Sequence, residues 1–138
     1  MIFSDAYEPK GDELGVNTWF GVPTMPVVVD GVTYRVIFDT GAPTSYLSAG
    51  LVSEFEYVDT RMDFFPLKGS FENDIYSVPI VIAGKAMSFE MAAMKGTLAS
   101  MLEPSGMPGI IGTGLLSHAD VTLSTASKTM AVNWHEVI

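Results

Sequence analysis

The 138-residue sequence predicts a single all-β domain with little helix. Apolar and polar residues alternate with a period of two along most of the chain, as they do in strands with one buried face. Clusters of Gly, Pro, Asp and Ser interrupt this alternation at short intervals, which is typical of the turns in all-β folds. The dipeptide Asp30-Gly31 stands between two apolar runs and is a strong signal for a two-residue hairpin turn.

The first part of the chain predicts an arm, an edge strand and a hairpin. Residues 1–16 are polar and contain glycine, and we interpret them as an arm. An edge strand is predicted over residues 19–23, which are largely apolar and end at a proline. The hairpin consists of strands 25–29 and 32–38, joined by the turn at Asp30-Gly31.

The middle of the chain predicts three further strands with short segments between them. Residues 47–55 fit either a short helix or an irregular turn. Strands are predicted at 57–65 and 71–82, on either side of a bend that contains Pro and Gly. In residues 86–93 the apolar side chains alternate, which favours a strand, although Met, Glu and Ala also suit a helix. Residues 95–109 predict a loop with one helical turn.

Residues 109–134 predict a short strand, then a turn or a helix, and then a closing hairpin. No repeat with a period of 20–50 residues is present, so the pattern excludes solenoids and propellers. The order of elements fits one core in one domain.

Composition and charge exclude several classes of function. The chain has no cysteine, so thiol nucleophiles, disulfide frameworks and thiolate zinc sites are excluded. Its net charge is −9 and its seven Lys and Arg residues are scattered singly, which argues against nucleic acid or an anionic membrane as a partner. No apolar run is long enough to cross a bilayer. The N-terminal stretch is acidic and lacks the apolar segment of a secretory signal, so we expect a cytoplasmic location.

The chain is also apolar for a domain of this size. Apolar residues make up 48% of it and charged residues 17%, and the mean hydropathy is +0.31. A generous core accounts for part of this composition. The rest predicts apolar surface that a partner covers or that lines a cleft.

The stretch VIFDTGAPTSYLS, residues 36–48, places a carboxylate at the end of an apolar strand. Asp39 follows three large apolar residues, and a threonine and a glycine come next. Active sites often present their acids from such protected positions, so the pattern indicates acid–base chemistry. The alternative is an ordinary strand-to-turn junction, in which Asp39 caps the turn by accepting hydrogen bonds from nearby N–H groups.

Two segments resemble the signatures of the aspartic proteases, in the single-lobe form of the retropepsin-like (retroviral-type) family. Residues 36–48 resemble the active-site loop of that family, in which apolar residues precede Asp-Thr-Gly-Ala. The run Gly-Ile-Ile-Gly at 109–112 resembles the second signature, two apolar residues and a glycine. The strands between the two match a flap hairpin in position, and residues 119–132 resemble the strand pair that follows the second signature. The resemblance covers residues 24–132 in order.

The resemblance implies a single-lobe acid-protease barrel with a flap hairpin and little helix, active as a homodimer. Residues 1–20 would be an N-terminal arm or edge strand, and residues 21–138 the retropepsin-like domain. Peptide hydrolysis of this type needs two facing carboxylates that share one proton. Because the chain has one Asp-Thr-Gly, the second carboxylate has to come from a second copy. The implied activity is that of an aspartic endopeptidase acting on a peptide or protein, without a cofactor or a metal.

The resemblance also implies roles for individual residues. Asp39 would activate water, Thr40 would brace the two loops across the dimer, and Gly41 would let the substrate backbone approach closely. The implied substrate-binding residues lie in the active loop, the flap and the second signature: Ala42, Pro43, Phe65, Leu67, Gly69 and Ile111.

Several positions depart from the retroviral pattern and keep a second function open. Retroviral enzymes usually carry Asp after the Ala and Arg after the second-signature glycine, whereas this chain carries Pro43 and Thr113. Gly114 stands where Asp or Asn is usual, and the flap tip FFPLKGSF has a single glycine. The alternative is a catalytically weak or inactive relative that binds a peptide or a protein.

Other constellations carry weaker signals. His118 and Asp120 are two residues apart but lack a third ligand, so we interpret them as part of a turn and not as a metal site. We interpret His135 as a surface or interface residue. A phosphate-binding Asp-x-Gly loop, as in actin-like folds, requires an α/β architecture and further glycine-rich contacts, which the strand pattern does not offer.

Overall fold

The computed structural model describes residues 2–3, 12–15, 17–19, 21–65, 69–124 and 128–135. This part of the chain contains twelve strands and two short α-helices, which confirms the predicted all-β class. The strands are β1 (Ile2–Phe3), β2 (Asp12–Gly15), β3 (Asn17–Trp19), β4 (Val22–Val29), β5 (Val32–Phe38), β6 (Tyr46–Ser48), β7 (Glu56–Phe65), β8 (Gly69–Ile82), β9 (Lys85–Met94), β10 (Gly109–Ile111), β11 (Ala119–Ser124) and β12 (Thr129–Trp134). The helices are α1 (Ala49–Val52) and α2 (Gly96–Leu102), with 3-10 segments at Glu103–Ser105 and Thr113–Ser117.

The larger sheet has eight strands and closes on itself. Its order is β3-β4-β5-β10-β6-β9-β8-β7. A further antiparallel pairing joins β4 to β8, with Val28 opposite Val81 and Val29 opposite Ile80. The six strands from β4 round to β8 therefore form a barrel, with β3 and β7 attached outside it.

A second sheet of four strands has the order β1-β11-β12-β2. The predicted closing hairpin is present as β11–β12, and it forms the two central strands of this sheet. Two segments of the predicted arm cover its edges, because β1 pairs parallel with β11 and β2 pairs antiparallel with β12. The first and last described strands, β1 and β12, thus belong to the same sheet.

The hairpin β4–β5 forms around Asp30-Gly31, as predicted. The two residues have φ angles of 50° and 76°. Positive φ at both central positions is the type I′ geometry, whose twist matches that of the flanking strands. β4 begins at Val22, before the predicted start at residue 25, because residues 22–24 pair with β3.

The helical segments differ in part from the prediction. Residues 47–55 contain the end of β6 and helix α1, so a short helix is present there. Residues 95–109 contain α2 followed by a 3-10 segment, which is more helix than predicted. The glycines and prolines of this stretch favour a loop, but Leu98 and Leu102, one turn apart, pack into the core and stabilise α2. Among the described residues, no helix has both the length and the apolarity needed to cross a membrane.

Two clusters of buried side chains form the core. β5 contributes to both because successive residues of a strand point to opposite faces. Val36 and Phe38 belong to the larger cluster, whereas Ile37 belongs to the smaller one, which also contains Tyr46. This packing fixes the strand from which the chain continues into Asp39.

Candidate active site

The loop that carries Asp39 crosses the end of a strand from a distant part of the chain. β5 ends at Phe38 and β6 begins at Tyr46, and β10 lies between these two strands in the sheet. β10 runs parallel to β5 and antiparallel to β6. Residues 39–45 therefore pass over the end of β10 to reach β6.

Asp39 is held through its backbone and through one carboxylate oxygen. Its N–H donates to the carbonyl oxygen of Ile111 at 2.9 Å. Its Oδ1 accepts the N–H of Gly41 at 2.8 Å. Its Oδ2 has no hydrogen-bond partner among the residues that the structure describes. The capping bond expected at a strand-to-turn junction is thus present, and it leaves one oxygen of this half-buried carboxylate available.

The second signature holds the loop through backbone contacts. The N–H of Thr113 donates to the carbonyl oxygen of Ala42 at 2.9 Å. The N–H of Gly112 donates to Oγ of the buried Ser45, also at 2.9 Å. A Cβ on Gly112 would lie 2.2 Å from the Ala42 carbonyl oxygen, so the crossing requires glycine at this position.

Three residues of the loop are exposed: Thr40, Gly41 and Pro43. Within the part of the chain that the structure describes, the Thr40 hydroxyl has no hydrogen-bond partner. Its predicted bracing role requires a second loop and stays a prediction. A Cβ on Gly41 would lie 3.2 Å from Oδ1 of Asp39, so the glycine leaves room for the carboxylate in this position.

A cavity of about 480 Å³ lies between this loop and the β7–β8 hairpin. Its walls come from residues 43–45, from the hairpin, from β9 and from the 3-10 segment after Gly112. The polar and charged lining includes Asn73, Arg61, Glu90 and His118. The Asp39 loop contributes Pro43, Thr44 and Ser45 to the lining, whereas Asp39 itself does not line the cavity.

The three predicted substrate-binding residues of the two signatures lie in different environments. Pro43 lines the cavity, and Ala42 packs against the smaller core cluster. The side chain of Ile111 is fully buried, so the prediction that it contacts substrate is corrected. It is buried because β10 lies in the middle of the sheet, between β5 and β6. Ile111 supports the site through the carbonyl that accepts the Asp39 N–H.

Of the other three predicted contacts, Phe65 ends β7, Gly69 begins β8, and Leu67 lies between them in the sequence. Gly69 opens β8 with a φ of 85°, a conformation that favours glycine, and pairs with Phe65. The side chain of Phe65 and the whole of Leu67 lie outside the described residues, so both contacts stay predictions. The neighbouring Phe64 has 64% of its surface exposed.

A cluster of polar side chains joins this hairpin to the start of β6. The Tyr46 hydroxyl donates to Oδ2 of Asp63. Nδ2 of Asn73 donates to the Tyr46 hydroxyl at 3.1 Å and to Asp63 Oδ2 at 3.2 Å. The N–H of Phe64 donates to Asp63 Oδ1 at 2.8 Å. Tyr46 and Asn73 are buried, and we refer to Tyr46, Asp63 and Asn73 as the Tyr46 cluster.

The Tyr46 cluster shifts the ionisation of both of its acidic groups. Burial, together with the hydrogen bond to Asp63, raises the pKa of the Tyr46 hydroxyl to about 12. Burial on its own raises the pKa of Asp63, but hydrogen bonds from Tyr46, the Phe64 N–H, Thr44 and Asn73 outweigh it, and the pKa of this carboxyl lies below its ordinary value. At neutral pH the cluster therefore contains a neutral phenol that donates to a carboxylate, which is the stronger, charge-assisted kind of hydrogen bond.

Asp63→Asn is expected to flatten the acid limb of the profile of stability against pH. Because the pKa of folded Asp63 lies below its unfolded value, the charge stabilises the fold above about pH 4, and this contribution is lost as the pH falls through the folded pKa. Asn can still accept the Tyr46 hydroxyl but does not titrate. The measurement is the free energy of unfolding in urea between about pH 6 and pH 2.5.

The matched control for this variant is Glu72→Gln, which removes an exposed carboxylate from the same hairpin. The Glu72→Gln variant is expected to show the same dependence of stability on pH as the wild type. An Asp63→Asn profile as steep as that of the wild type would contradict the assignment.

The histidines do not form a metal centre with the acids near them. Asp120 Oδ1 lies 3.1 Å from Nε2 of His135, and not against His118. His118 lines the cavity and contacts the ring of Phe89. Across the described ranges, no three potential ligands from His, Asp and Glu come together in a way that would hold a metal.

Sequence reasoning missed the Tyr46 cluster for a physical reason. In β7, Asp59, Arg61 and Asp63 occupy alternate positions, a pattern typical of a solvated strand face. That face instead turns toward the barrel, where Arg61 binds Glu90 of β9 and Asp63 binds Tyr46. The available signal was the register of the hairpin, which places Asn73 opposite Arg61 on the same face.

Comparisons with known proteins find similarity in structure but not in sequence. No protein-family model matches the chain, and no curated protein matches its sequence. Among solved structures, the chain is similar to the solution structure of the simian foamy virus (mac) protease, with 12% sequence identity and a TM-score of 0.47. The match covers 65% of this chain and 87% of the viral chain. At this level of similarity, the function has to be inferred from the site itself.

Proposed function

We propose that this chain is an aspartic endopeptidase, active as a homodimer, in which two Asp39 carboxylates activate one water molecule. The observation that supports this most directly is the state of the Asp39 side chain. A buried strand leads into it, Gly41 holds its Oδ1, and its Oδ2 has no partner among the described residues. One carboxylate cannot serve at once as the base and as the acid, so a second copy supplies the other across a two-fold axis.

The two carboxylates would divide the acid and base roles between them. Like charges at this distance do not both ionise, so the pair holds one proton. The ionised carboxylate takes a proton from water as the water oxygen attacks the peptide carbonyl carbon, and the protonated carboxyl donates its proton to the carbonyl oxygen. A proton is then transferred to the leaving nitrogen as the C–N bond breaks.

The rest of the site would hold an extended peptide. Thr40 is exposed and would bond to the partner loop, and Gly41 would leave space for the substrate backbone. The cavity beside Pro43 would take a substrate side chain. The β7–β8 hairpin forms one wall of that cavity and would act as the flap that closes over the substrate.

A second candidate function is binding of a peptide without cleavage. It is favoured by Pro43 and Thr113, which replace the charged pair that retroviral enzymes usually carry. In this chain Pro43 is exposed at the cavity, and the Thr113 N–H is used to hold Ala42. Measurable affinity for a peptide that is never cleaved would favour this function.

The proposed function is tested with a diverse peptide mixture between about pH 4 and pH 7. The mass of the protein in solution is measured on the same samples. Cleavage that rises with the dimer fraction is expected, because a monomer has one Asp39. Absence of cleavage from a stable dimer would contradict the endopeptidase and leave the binding function.

A further inference from the structure

The Tyr46 cluster connects a rigid part of the molecule to the outer end of the β7–β8 hairpin. Tyr46 belongs to the rigid part. It follows Ser45, whose Oγ accepts the Gly112 N–H, and it pairs with Ile110 on one side and Ala92 on the other. Tyr46 is therefore held in the sheet at the residue where the Asp39 loop ends, and this fixes the position from which its hydroxyl reaches the hairpin.

The hairpin side of the cluster lies near the turn. Asp63 pairs with Phe71, two positions before β7 ends at Phe65. In the described part of the chain, β7 pairs only with β8, and β8 pairs with β9 only from Ile75 onward. The outer end of the hairpin therefore has no backbone pairing with another described strand of the barrel. Met62 and Phe64 each have 64% of their surface exposed, so they do not anchor it either.

The side-chain contacts between this end of the hairpin and the barrel include two polar sets. One is the pair of Arg61 with Glu90 of β9, at 2.9 Å, in which each side chain is about half exposed. This pair is bidentate, but because both side chains are about half exposed, solvent screens it more than it screens a buried contact. The other is the Tyr46 cluster, in which Tyr46 and Asn73 are buried and the hydrogen bond to Asp63 is charge-assisted. Both sets include charge-assisted bonds, but those of the cluster involve buried partners, so we expect the cluster to be the stronger of the two.

We propose that the Tyr46 hydroxyl is a latch that holds the hairpin against the cavity lined by Pro43 of the Asp39 loop, so that Tyr46 is a positioning residue for substrate binding. This inference rests on the proposed function for its effect on catalysis, since the latch acts on the substrate through the hairpin. Asn73 belongs both to the cluster and to the lining of the cavity, so release of the latch moves a wall of the site. Among the described residues, the Tyr46 hydroxyl bonds to Asp63 and Asn73 and not to Asp39, so we expect the latch to leave the chemical step itself unchanged.

The test compares amide hydrogen exchange in the hairpin with the kinetics of peptide cleavage. Tyr46→Phe removes the hydroxyl and keeps the buried ring. Asp63→Ala removes the acceptor from the other side, whereas Asp63→Asn keeps an acceptor and is the rescue variant. Tyr57→Phe is the matched control, because it removes an exposed hydroxyl that bonds to Thr60 within the same hairpin.

We expect exchange at residues 60–64 and 70–74 to rise by about tenfold in Tyr46→Phe and in Asp63→Ala. Exchange in the barrel strands β5 and β10 is expected to stay at the wild-type rate. The KM for a cleaved peptide is expected to rise by about three- to tenfold with kcat changed less than about twofold. Asp63→Asn keeps one acceptor oxygen but loses the charge, so its exchange and its KM are expected to rise less than those of Asp63→Ala. Tyr57→Phe is expected to behave like the wild type in both measurements.

Exchange reports on the latch whether or not the chain cleaves peptides, so the two proposals fail in different ways. A rise in hairpin exchange without cleavage by any variant would support the latch and contradict the proposed function. Unchanged hairpin exchange in Tyr46→Phe would overturn the latch, and so would a rise spread evenly over the barrel, which a general loss of stability produces.

Discussion

Asp39→Asn is expected to lower the rate of peptide cleavage by at least about 10²–10⁴-fold while the fold and the dimer persist. The amide oxygen of Asn can still accept the Gly41 N–H, so the loop keeps its shape. The amide can neither take a proton from water nor hold the proton that the pair shares. A dimer of the variant loses both functions at once, since each subunit contributes one Asp39.

The matched control for this variant is Asp30→Asn. Asp30 is exposed in the β4–β5 turn, and its φ of 50° suits Asn as well as Asp. Asp30→Asn makes the same chemical change far from the Asp39 loop, so this variant is expected to cleave peptides at the wild-type rate. Equal cleavage by Asp39→Asn and the wild type would rule out the proposed role of Asp39.

Mixing the two forms tests the need for two carboxylates. A dimer with one wild-type and one Asp39→Asn subunit has one carboxylate at the shared site, and we expect it to be as inactive as the variant dimer. Adding excess variant to a fixed amount of wild type should therefore suppress cleavage as subunits exchange. Activity that stays proportional to the wild-type subunits would mean that each Asp39 works alone.

Gly112→Ala is expected to destabilise the fold by more than about 3 kcal/mol, a large share of the roughly 5–15 kcal/mol by which a domain is ordinarily stable. The new Cβ would lie 2.2 Å from the Ala42 carbonyl oxygen and 3.1 Å from that of Thr44. Both are backbone atoms, so no side chain can rotate away to make space. The crossing would have to open, and the bonds from Gly112 to Ser45 and from Thr113 to Ala42 would be lost.

The matched control is Gly50→Ala in helix α1, where a Cβ would meet no atom within 4 Å. Helix propensity favours Ala over Gly by about 1 kcal/mol, so this variant should be as stable as the wild type or slightly more stable. Urea unfolding of the three proteins measures the difference. A Gly112→Ala protein that unfolds at the wild-type denaturant concentration would contradict the close crossing of residues 39–45 over β10.

The features that could be predicted from the sequence are those that depend on neighbours along the chain. The β4–β5 hairpin follows from Asp30-Gly31, because two residues with positive φ between apolar runs allow few other structures. The strand in residues 86–93 follows from its alternation, and the structure extends it to Lys85–Met94. The exit of Asp39 from a buried strand follows from the three apolar residues before it.

The features that could not be predicted depend on which distant segments meet. β10 has three residues, too few to carry a periodic signal, and nothing in Gly109–Ile111 shows that it lies between β5 and β6. That position buries Ile111 and makes its carbonyl a support for Asp39. Asp63 looks like a solvated charge until the hairpin places it against Tyr46.

The insertion of β10 between β5 and β6 also has a consequence for how the molecule folds. Ile110 pairs with Ile37, about 70 residues away along the chain, and such distant contacts form slowly because a long loop has to close first. The hairpin β4–β5 can form early from local contacts, but the shape of the Asp39 loop depends on bonds from Ile111, Gly112 and Thr113. During synthesis, a chain that has not yet extended past these residues lacks the support for this loop. The part of the molecule proposed to carry the chemistry is therefore among the last to become ordered.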